Sequence, residues 1–292
     1  MRFLVTGASG FLGWRFSVLL VERGHDVVAV RRPAGRPRGL ALAAEEVDAG
    51  DPAIRRLVAG CDAVLHFAGV PDPASARRDP ARAVRENAGT TLNLLEGVAA
   101  HGAGLLYPST LRAAVEPPPD EYALSKRLGE ELCRLHPAPA TVLRLTSVFG
   151  PGQIAWEGAT GAVAVFAARA LEGAAIVIPG NAERTRDFVY VDDLVPLVEG
   201  LVRERRWNET LLAASGTATS LRRAAELVRA AAGSSSPIQT PGGQLAPGEN
   251  ESYAGAGASG GLDFGVRPLP EAISAYVHWL RSHPSAEGRT RA

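Results

Sequence analysis

The chain has 292 residues, enough to bury a large core as one domain or two unequal ones, and its 31 basic and 31 acidic residues cancel to a formal net charge of zero. That balance, with no basic run, excludes a polyanion-binding surface of the nucleic-acid kind. The two cysteines, Cys61 and Cys133, cannot build a disulfide framework, no stretch reaches the ~18 apolar residues of a membrane span, and a soluble, cytoplasmic protein is expected.

Residues 2 to 6 read as a buried strand that ends in Gly7-Ala-Ser-Gly10-Phe11-Leu12-Gly13 and then an amphipathic helix to about Arg23. Glycines at that spacing between a strand and a helix permit a tight turn and let a backbone approach a pyrophosphate at the helix N-terminus. The second strand, Asp26 to Val30, ends in Arg31-Arg32 where an NAD-specific fold would present a carboxylate to the ribose hydroxyls. Two guanidinium groups suit a 2′-phosphate instead, so NADP(H) is expected over NAD(H); the alternative is a solvated arginine pair opening a loop from Pro33 to Arg38.

A third short strand ends around Val47 to Asp51, followed by a helix from Pro52 to about Ala59, with Asp51 placed to face an adenine. The fourth strand, Ala63 to Phe67, runs into Ala68-Gly69, and His66 reads as a packed or capping histidine. One long helix is expected from Asp79 to Ala100, with Val84, Ala88, Leu92, Leu95 and Ala99 on one face and Asn87 and Thr91 as a polar pair beside it. A fifth strand over 105–107 leads to Ser109-Thr110, hydroxyls at the carboxyl end of a parallel strand, where open α/β sheets place ligands.

Lys126 is the one lysine of the chain, and it stands four residues after Tyr122. That spacing puts both on one face of a helix opened by Pro117-Pro118-Pro119-Asp120, with Asp120 as the capping carboxylate. A phenol poised near neutrality needs about 3 pKa units, about 4 kcal/mol, of phenolate stabilisation, which an ammonium one turn away and the helix N-terminus can supply. The other reading is a solvated surface pair.

Taken in order, Gly7/Gly10/Gly13, Gly50-Asp51, His66-Phe67-Ala68-Gly69, Asn87-Ala-Gly-Thr90, Ser109-Thr110 and Tyr122-x-x-x-Lys126 resemble the extended short-chain dehydrogenase/reductase family of nucleotide-sugar epimerases, dehydratases and reductases. The resemblance runs over nearly the whole chain. It implies an α/β fold: a Rossmann-type doubly wound parallel sheet over 1–150, with 186–205 returning to it, and a smaller, discontinuous substrate lobe over 151–185 and 206–282, before a flexible tail over 283–292.

The same resemblance makes Tyr122 the acid/base, Lys126 its pKa-lowering and ribose-binding partner, and Thr110 the hydroxyl that polarises the carbonyl. Cofactor contacts are expected from Gly7, Gly10, Phe11, Leu12, Gly13, Arg31, Arg32, Asp51, Pro52, Phe67, Ala68, Gly69, Asn87, Ser109, Tyr122, Lys126 and Thr146, and substrate contacts from Ser147 and Arg186. A homodimer through the helices at about 80–100 and 122–135 is implied, and no metal-ligand spacing occurs.

Two departures narrow the activity. The connection from Thr110 to Tyr122 is shorter than epimerases and dehydratases use, and Leu111-Arg112 follow the hydroxyl where dehydratases carry an Asp-Glu pair. With Arg31-Arg32, this resembles the 4-ketoreductases that reduce a nucleoside-diphosphate 4-keto-6-deoxyhexose with NADPH. The alternatives are a nucleotide-sugar 4-epimerase with bound NAD, a reductase of a non-sugar carbonyl and, from a different class, a non-catalytic NADP-sensing module.

Overall fold

The computed structural model describes residues 1–33, 43–254 and 264–290. The expected loop after Pro33 and the last two tail residues lie outside the described residues.

Among them, the first unit comprises residues 1–33, 43–145 and 194–213. It is built on β1 (Arg2–Thr6), α1 (Phe11–Glu22), β2 (Asp26–Arg31), β3 (Ala44–Glu46), β4 (Ala63–His66), α2 (Pro73–Arg78), α3 (Pro80–Val84), α4 (Thr90–His101), β5 (Gly104–Thr110), α5 (Glu121–Leu135), β6 (Ala140–Leu145), α7 (Leu194–Arg203) and β10 (Thr210–Ala213). Seven parallel strands stand in the order β10-β6-β5-β4-β1-β2-β3, so the direction of winding reverses between β1 and β4. Ligands bind at such a switch point, beyond the carboxyl ends of the strands. Phe3, Leu4, Val5, Val64 and Leu105 are fully buried, as central strands of a sheet covered on both faces require. On one face Leu94, Leu95 and Val98 of α4 pack with Ile54, Val58 and Tyr107; each such side chain contributes roughly 1.5–3 kcal/mol by leaving water.

The long helix expected over 79–100 runs without interruption from Pro80 to His101, as α3, a π-turn and α4. Asp79 caps α3 by accepting the Arg82 amide at 2.9 Å, and a π-turn over Arg85–Gly89 precedes α4. A π-turn inserts a residue and shifts the phase of the helix. The anticipated apolar face therefore does not hold: Ala88 and Leu95 are buried, whereas Val84 and Leu92 are exposed. The helix expected after Pro52 is a 3-10 turn, Pro52–Val58.

Residues 206–213 were expected in the substrate lobe, yet β10 pairs in register with β6 and completes the sheet of the first unit. α7 is tied there too. The buried Glu199 carboxylate accepts from Arg23 Nε and Nη2, both at 2.7 Å, and meets His25 Nε2 at 2.6 Å. The boundaries thus fall at 145, 193 and 213 rather than at 150, 185 and 205.

The second unit holds residues 146–193, 214–254 and 264–290 of the described chain. Its elements are β7 (Ser147–Phe149), α6 (Ala162–Glu172), β8 (Ile176–Pro179), β9 (Thr185–Tyr190), β11 (Ala218–Ser220), α8 (Leu221–Ala231), β12 (Ile238–Gly242) and α9 (Leu269–Arg281). β9 runs between β7 and β11, and β8 pairs with β12. Phe149 is the hub of its core, edge-on to Phe188, Tyr190 and Tyr276 at centroid distances of 5.7 to 6.3 Å. In the tail expected to be flexible from 283, Pro284–Ala286 form a 3-10 turn and Ala286 is buried.

Candidate functional site: a dinucleotide cradle and a tyrosine-lysine helix

The glycine loop is shaped by close contacts that only hydrogen permits. Gly7 has φ +69°, and a Cβ there would lie 2.7 Å from the backbone of Phe67 and Ala68; a Cβ on Gly13 would lie 2.2 Å from the Gly7 carbonyl oxygen. The turn closes through the Gly10 amide donating to the Gly7 carbonyl at 2.8 Å. Gly10 is the N-cap of α1 and no side chain caps that helix, which leaves the first-turn amides, those of Phe11 and Leu12, to a ligand. A pyrophosphate fits this cradle by its charge, which the uncapped amides at the start of α1 favour. Phe67 packs on Phe16 at 4.7 Å between ring centroids, and the Ala68 amide donates to Thr6 Oγ1 at 3.2 Å.

At the adenosine end, Asp51 caps the 3-10 turn by accepting the Ala53 amide at 2.8 Å, with Pro52 in the first turn. Arg31 is ion-paired with Glu46 across β2 and β3. Arg32 reaches Glu86 at 3.2 Å, and Glu86 also takes Arg82 Nε at 2.7 Å. Both guanidinium groups are therefore near the end of β2, each with a carboxylate beside it that a 2′-phosphate would compete with.

Behind the strand ends, two expected contacts, Asn87 and Ser109, are engaged in internal hydrogen bonds. Asn87 is fully buried and clamps Val70, accepting its amide at 2.9 Å and donating to its carbonyl at 3.2 Å, with a further bond to Ser125 Oγ at 2.9 Å. Through that clamp it holds Gly69 rather than presenting its amide to a cofactor. Ser109 is buried and donates to Glu130 Oε1 at 2.5 Å, so its hydroxyl is engaged inside the protein. His66 is packed, as expected. Thr90 Oγ1 donates to the Glu86 carbonyl and Thr6 Oγ1 accepts the Ala68 amide, so His66 donates from Nε2 to Thr90 at 3.0 Å and accepts at Nδ1 from Thr6 at 2.9 Å. Burial, with the charge of Lys126 second, pushes its pKa down to about 3 and keeps it neutral.

Thr110 ends β5 and Tyr122 stands in the first turn of α5, capped by Asp120 accepting the Ala123 amide at 2.8 Å. Lys126 is buried one turn on. Its ammonium donates to the Pro108 carbonyl at 2.9 Å and lies 5.0 Å from the centroid of the Tyr107 ring. Burial pushes its pKa down to about 8, and Glu130 opposes that shift. Glu130, at 6 % exposure, is the buried counter-charge that sequence reasoning missed, bound by Ser109 and by Arg144 Nη2 at 2.6 Å. Its i,i+4 spacing from Lys126 was the available signal.

The expected lowering of the Tyr122 phenol by Lys126 is corrected. Burial first, and then the carboxylates of Asp72 and Asp120, push the phenol above its ordinary value, and the cation that opposes them is Arg112. Lys126 is directed to Pro108 and Tyr107 instead.

Thr146, Ser147 and Arg186 lie in the second unit. Thr146 Oγ1 donates to Asp187 Oδ1 at 3.3 Å, and Ser147 begins β7 half-buried. Arg186, expected to aim at a diphosphate, is turned onto its own unit. It donates to the carbonyls of Thr185 at 2.8 Å, Glu251 at 2.5 Å and Glu249 at 3.2 Å, over the Tyr253 ring. No cluster of metal-ligating side chains occurs among the described residues.

A family profile described as the NAD dependent epimerase/dehydratase family matches residues 3–208. The dTDP-4-dehydro-6-deoxy-D-allose reductase of Streptomyces bikiniensis is 28 % identical over 96 % of this chain and 96 % of its own. UDP-glucuronic acid decarboxylase 1 of Xenopus tropicalis is 28 % identical over 66 % of this chain, which spans only 52 % of that protein. Among solved structures, UDP-glucose 4-epimerase of Thermotoga maritima with UDP-glucose superposes with a TM-score of 0.83 at 27 % identity, over 96 % of this chain and 99 % of the other.

Proposed function

The chain belongs to the NAD dependent epimerase/dehydratase family and is an NAD(P)-dependent enzyme of the oxidoreductase type, and from that premise we propose that it reduces the 4-keto group of a nucleoside-diphosphate 4-keto-6-deoxysugar with NADPH. The observation that carries the reading is the connection after Thr110, where Leu111 and Arg112 follow the hydroxyl and Arg112 is held on Asp120 at the cap of the Tyr122 helix. Arg112 stands where an eliminating enzyme would carry acid/base carboxylates, which supports reduction over dehydration. The similarity to the Streptomyces reductase over nearly full length supports a deoxysugar substrate.

When bound, the nicotinamide supplies the hydride. Thr110 donates a hydrogen bond to the carbonyl oxygen, and Tyr122 delivers its proton as negative charge develops there. Lys126 would hold the nicotinamide ribose. Leu92 on α4 and Leu124, Leu128 and Leu135 on α5 are exposed, which supports a second copy of the chain as the partner of these helices.

The test is substrate-dependent loss of NADPH absorbance on adding dTDP-4-keto-6-deoxyglucose, after identifying any nucleotide that copurifies. Net NADPH oxidation supports the reading; tightly retained NAD with no net turnover overturns it in favour of epimerisation. For the cofactor, Arg31→Ala and Arg32→Ala are each expected to weaken NADPH about tenfold, about 1.4 kcal/mol, while NADH affinity stays within about twofold. Fluorescence titration reads both, and equal losses for the two nucleotides would remove the phosphate-reading role.

Lys126 sets the alkaline limit. Its folded-state pKa is depressed to about 8, so the ammonium is present below that pH and lost above it. The expected profile of kcat/KM therefore falls between pH 7.5 and 9 with an apparent pKa of about 8. A profile flat to about pH 9.5 would take the Lys126 charge out of the step.

A further inference from the structure

Between the hydroxyl that ends β5 and the tyrosine that opens α5, one ion pair closes the connection. The Arg112 guanidinium binds Asp120 Oδ2 through Nη2 and through Nε at 3.1 Å, with 12 % of the arginine and 1 % of the aspartate side chain exposed. The other oxygen of Asp120 accepts the Ala123 amide at 2.8 Å, so one carboxylate both caps α5 and anchors Arg112. At its other end, the main-chain amide of Arg112 donates to Thr110 Oγ1 at 3.3 Å. The same residue therefore reaches the hydroxyl through its backbone and the helix cap through its side chain.

We propose that Arg112, locked onto Asp120, is the positioning residue of the Tyr122 acid: it ties the first turn of α5 to the end of β5 and keeps beside the phenol a cation that Lys126, turned to the Pro108 carbonyl, does not supply. The inference rests on the reading of Tyr122 as the proton donor. The charges that act on the phenol are Arg112 from the turn after β5, Asp72 from the N-cap of α2, and Asp120 at the start of its own helix, and the Tyr107 phenol of β5 is coupled to it. Loss of Arg112 acts twice in one direction. It removes the one cation favouring phenolate, and it unmasks Asp120, a buried carboxylate that then repels the phenolate. Lysine would keep the charge but not the fork that binds one carboxylate through two nitrogens. The short connection makes this possible, because a longer loop would separate Arg112 from the helix cap.

The test places 3,5-difluorotyrosine, whose phenol ionises well below that of tyrosine, at position 122 of the full chain and follows its ionisation by ¹⁹F NMR. Arg112→Met is expected to raise the pKa of that phenol by about one unit or more, and Arg112→Lys by less than half as much. If Arg112→Met does not fold, Arg112→Gln is read in its place with the same expectation. A pKa within about 0.2 unit of the Arg112 protein, in a variant with unchanged melting temperature, overturns the proposal. In turnover, Arg112→Lys is expected to lose about tenfold in kcat with KM within about twofold. The titration needs no substrate. Persistent turnover of Tyr122→Phe would sink the acid reading, whereas an unmoved titration would sink the role of Arg112 alone.

Discussion

Tyr122→Phe is expected to lose about a thousandfold in kcat while NADPH affinity changes by less than about threefold. The size follows from what a positioned proton donor contributes. Thr110 can hydrogen-bond the developing alkoxide but, as a hydroxyl of high pKa, cannot protonate it as readily. The variant should fold. The phenyl ring keeps its packing against Val70, Ala76 and Ala83, a small apolar cluster beside the first turn of α5. Unchanged melting temperature, retained NADPH binding and lost ketone-dependent oxidation together are the expected result. Loss of less than about tenfold would move the proton-donating role elsewhere and return the non-catalytic reading to consideration.

The second large effect is steric. Gly13→Ala places a methyl group 2.2 Å from the Gly7 oxygen, 2.5 Å from its carbonyl carbon and 3.0 Å from the Ala8 nitrogen. All three are backbone atoms that no rotamer change can remove. Either α1 moves away from β1 or the Gly7 turn opens, and each destroys the cradle. A destabilisation of about 2–4 kcal/mol is expected, with NADPH affinity down about a hundredfold in whatever folds. Thermal melting with and without nucleotide separates the two parts. Gly89→Ala is the control: Gly89 is helical, nothing lies within 4 Å of its would-be Cβ, and alanine there should leave melting unchanged or raise it.

The strand, glycine turn and helix at the start of the chain were legible because each constraint there is local: a run of apolar residues, a turn that only glycine makes, then helical periodicity. The Tyr122 helix was legible for the same reason, down to Asp120 as its cap. What escaped were features fixed by distant partners. The π-turn at Arg85–Gly89 carries Asn87, whose side chain clamps Val70, seventeen positions earlier in the chain. A 3.6-residue pattern contains no sign of such a clamp. Lys126 stood out in sequence, but the Pro108 carbonyl that takes its ammonium comes from β5, and Arg144, which holds Glu130, comes from β6. Glu130 reads in sequence as a surface charge of an amphipathic helix and is in fact buried. Arg186 read as ligand-facing because nothing local shows that carbonyls of Glu249 and Glu251 will satisfy it.

Because β10 is the strand that closes the β6 edge, the nucleotide-binding unit is unfinished when ribosomal synthesis passes Leu145. At that moment β6 presents an unpaired row of backbone donors and acceptors, and the apolar side chains that α7 covers are bare. About fifty residues of the other unit must emerge before α7 and β10 can dock. The nascent chain therefore passes through a stage in which a sticky strand edge waits for its cover, a stage suited to chaperone capture and to misassembly between neighbouring polypeptides. A fragment ending at Leu145 would be frozen at that stage: it would carry the glycine turn, Tyr122 and Lys126, and would aggregate rather than bind nucleotide.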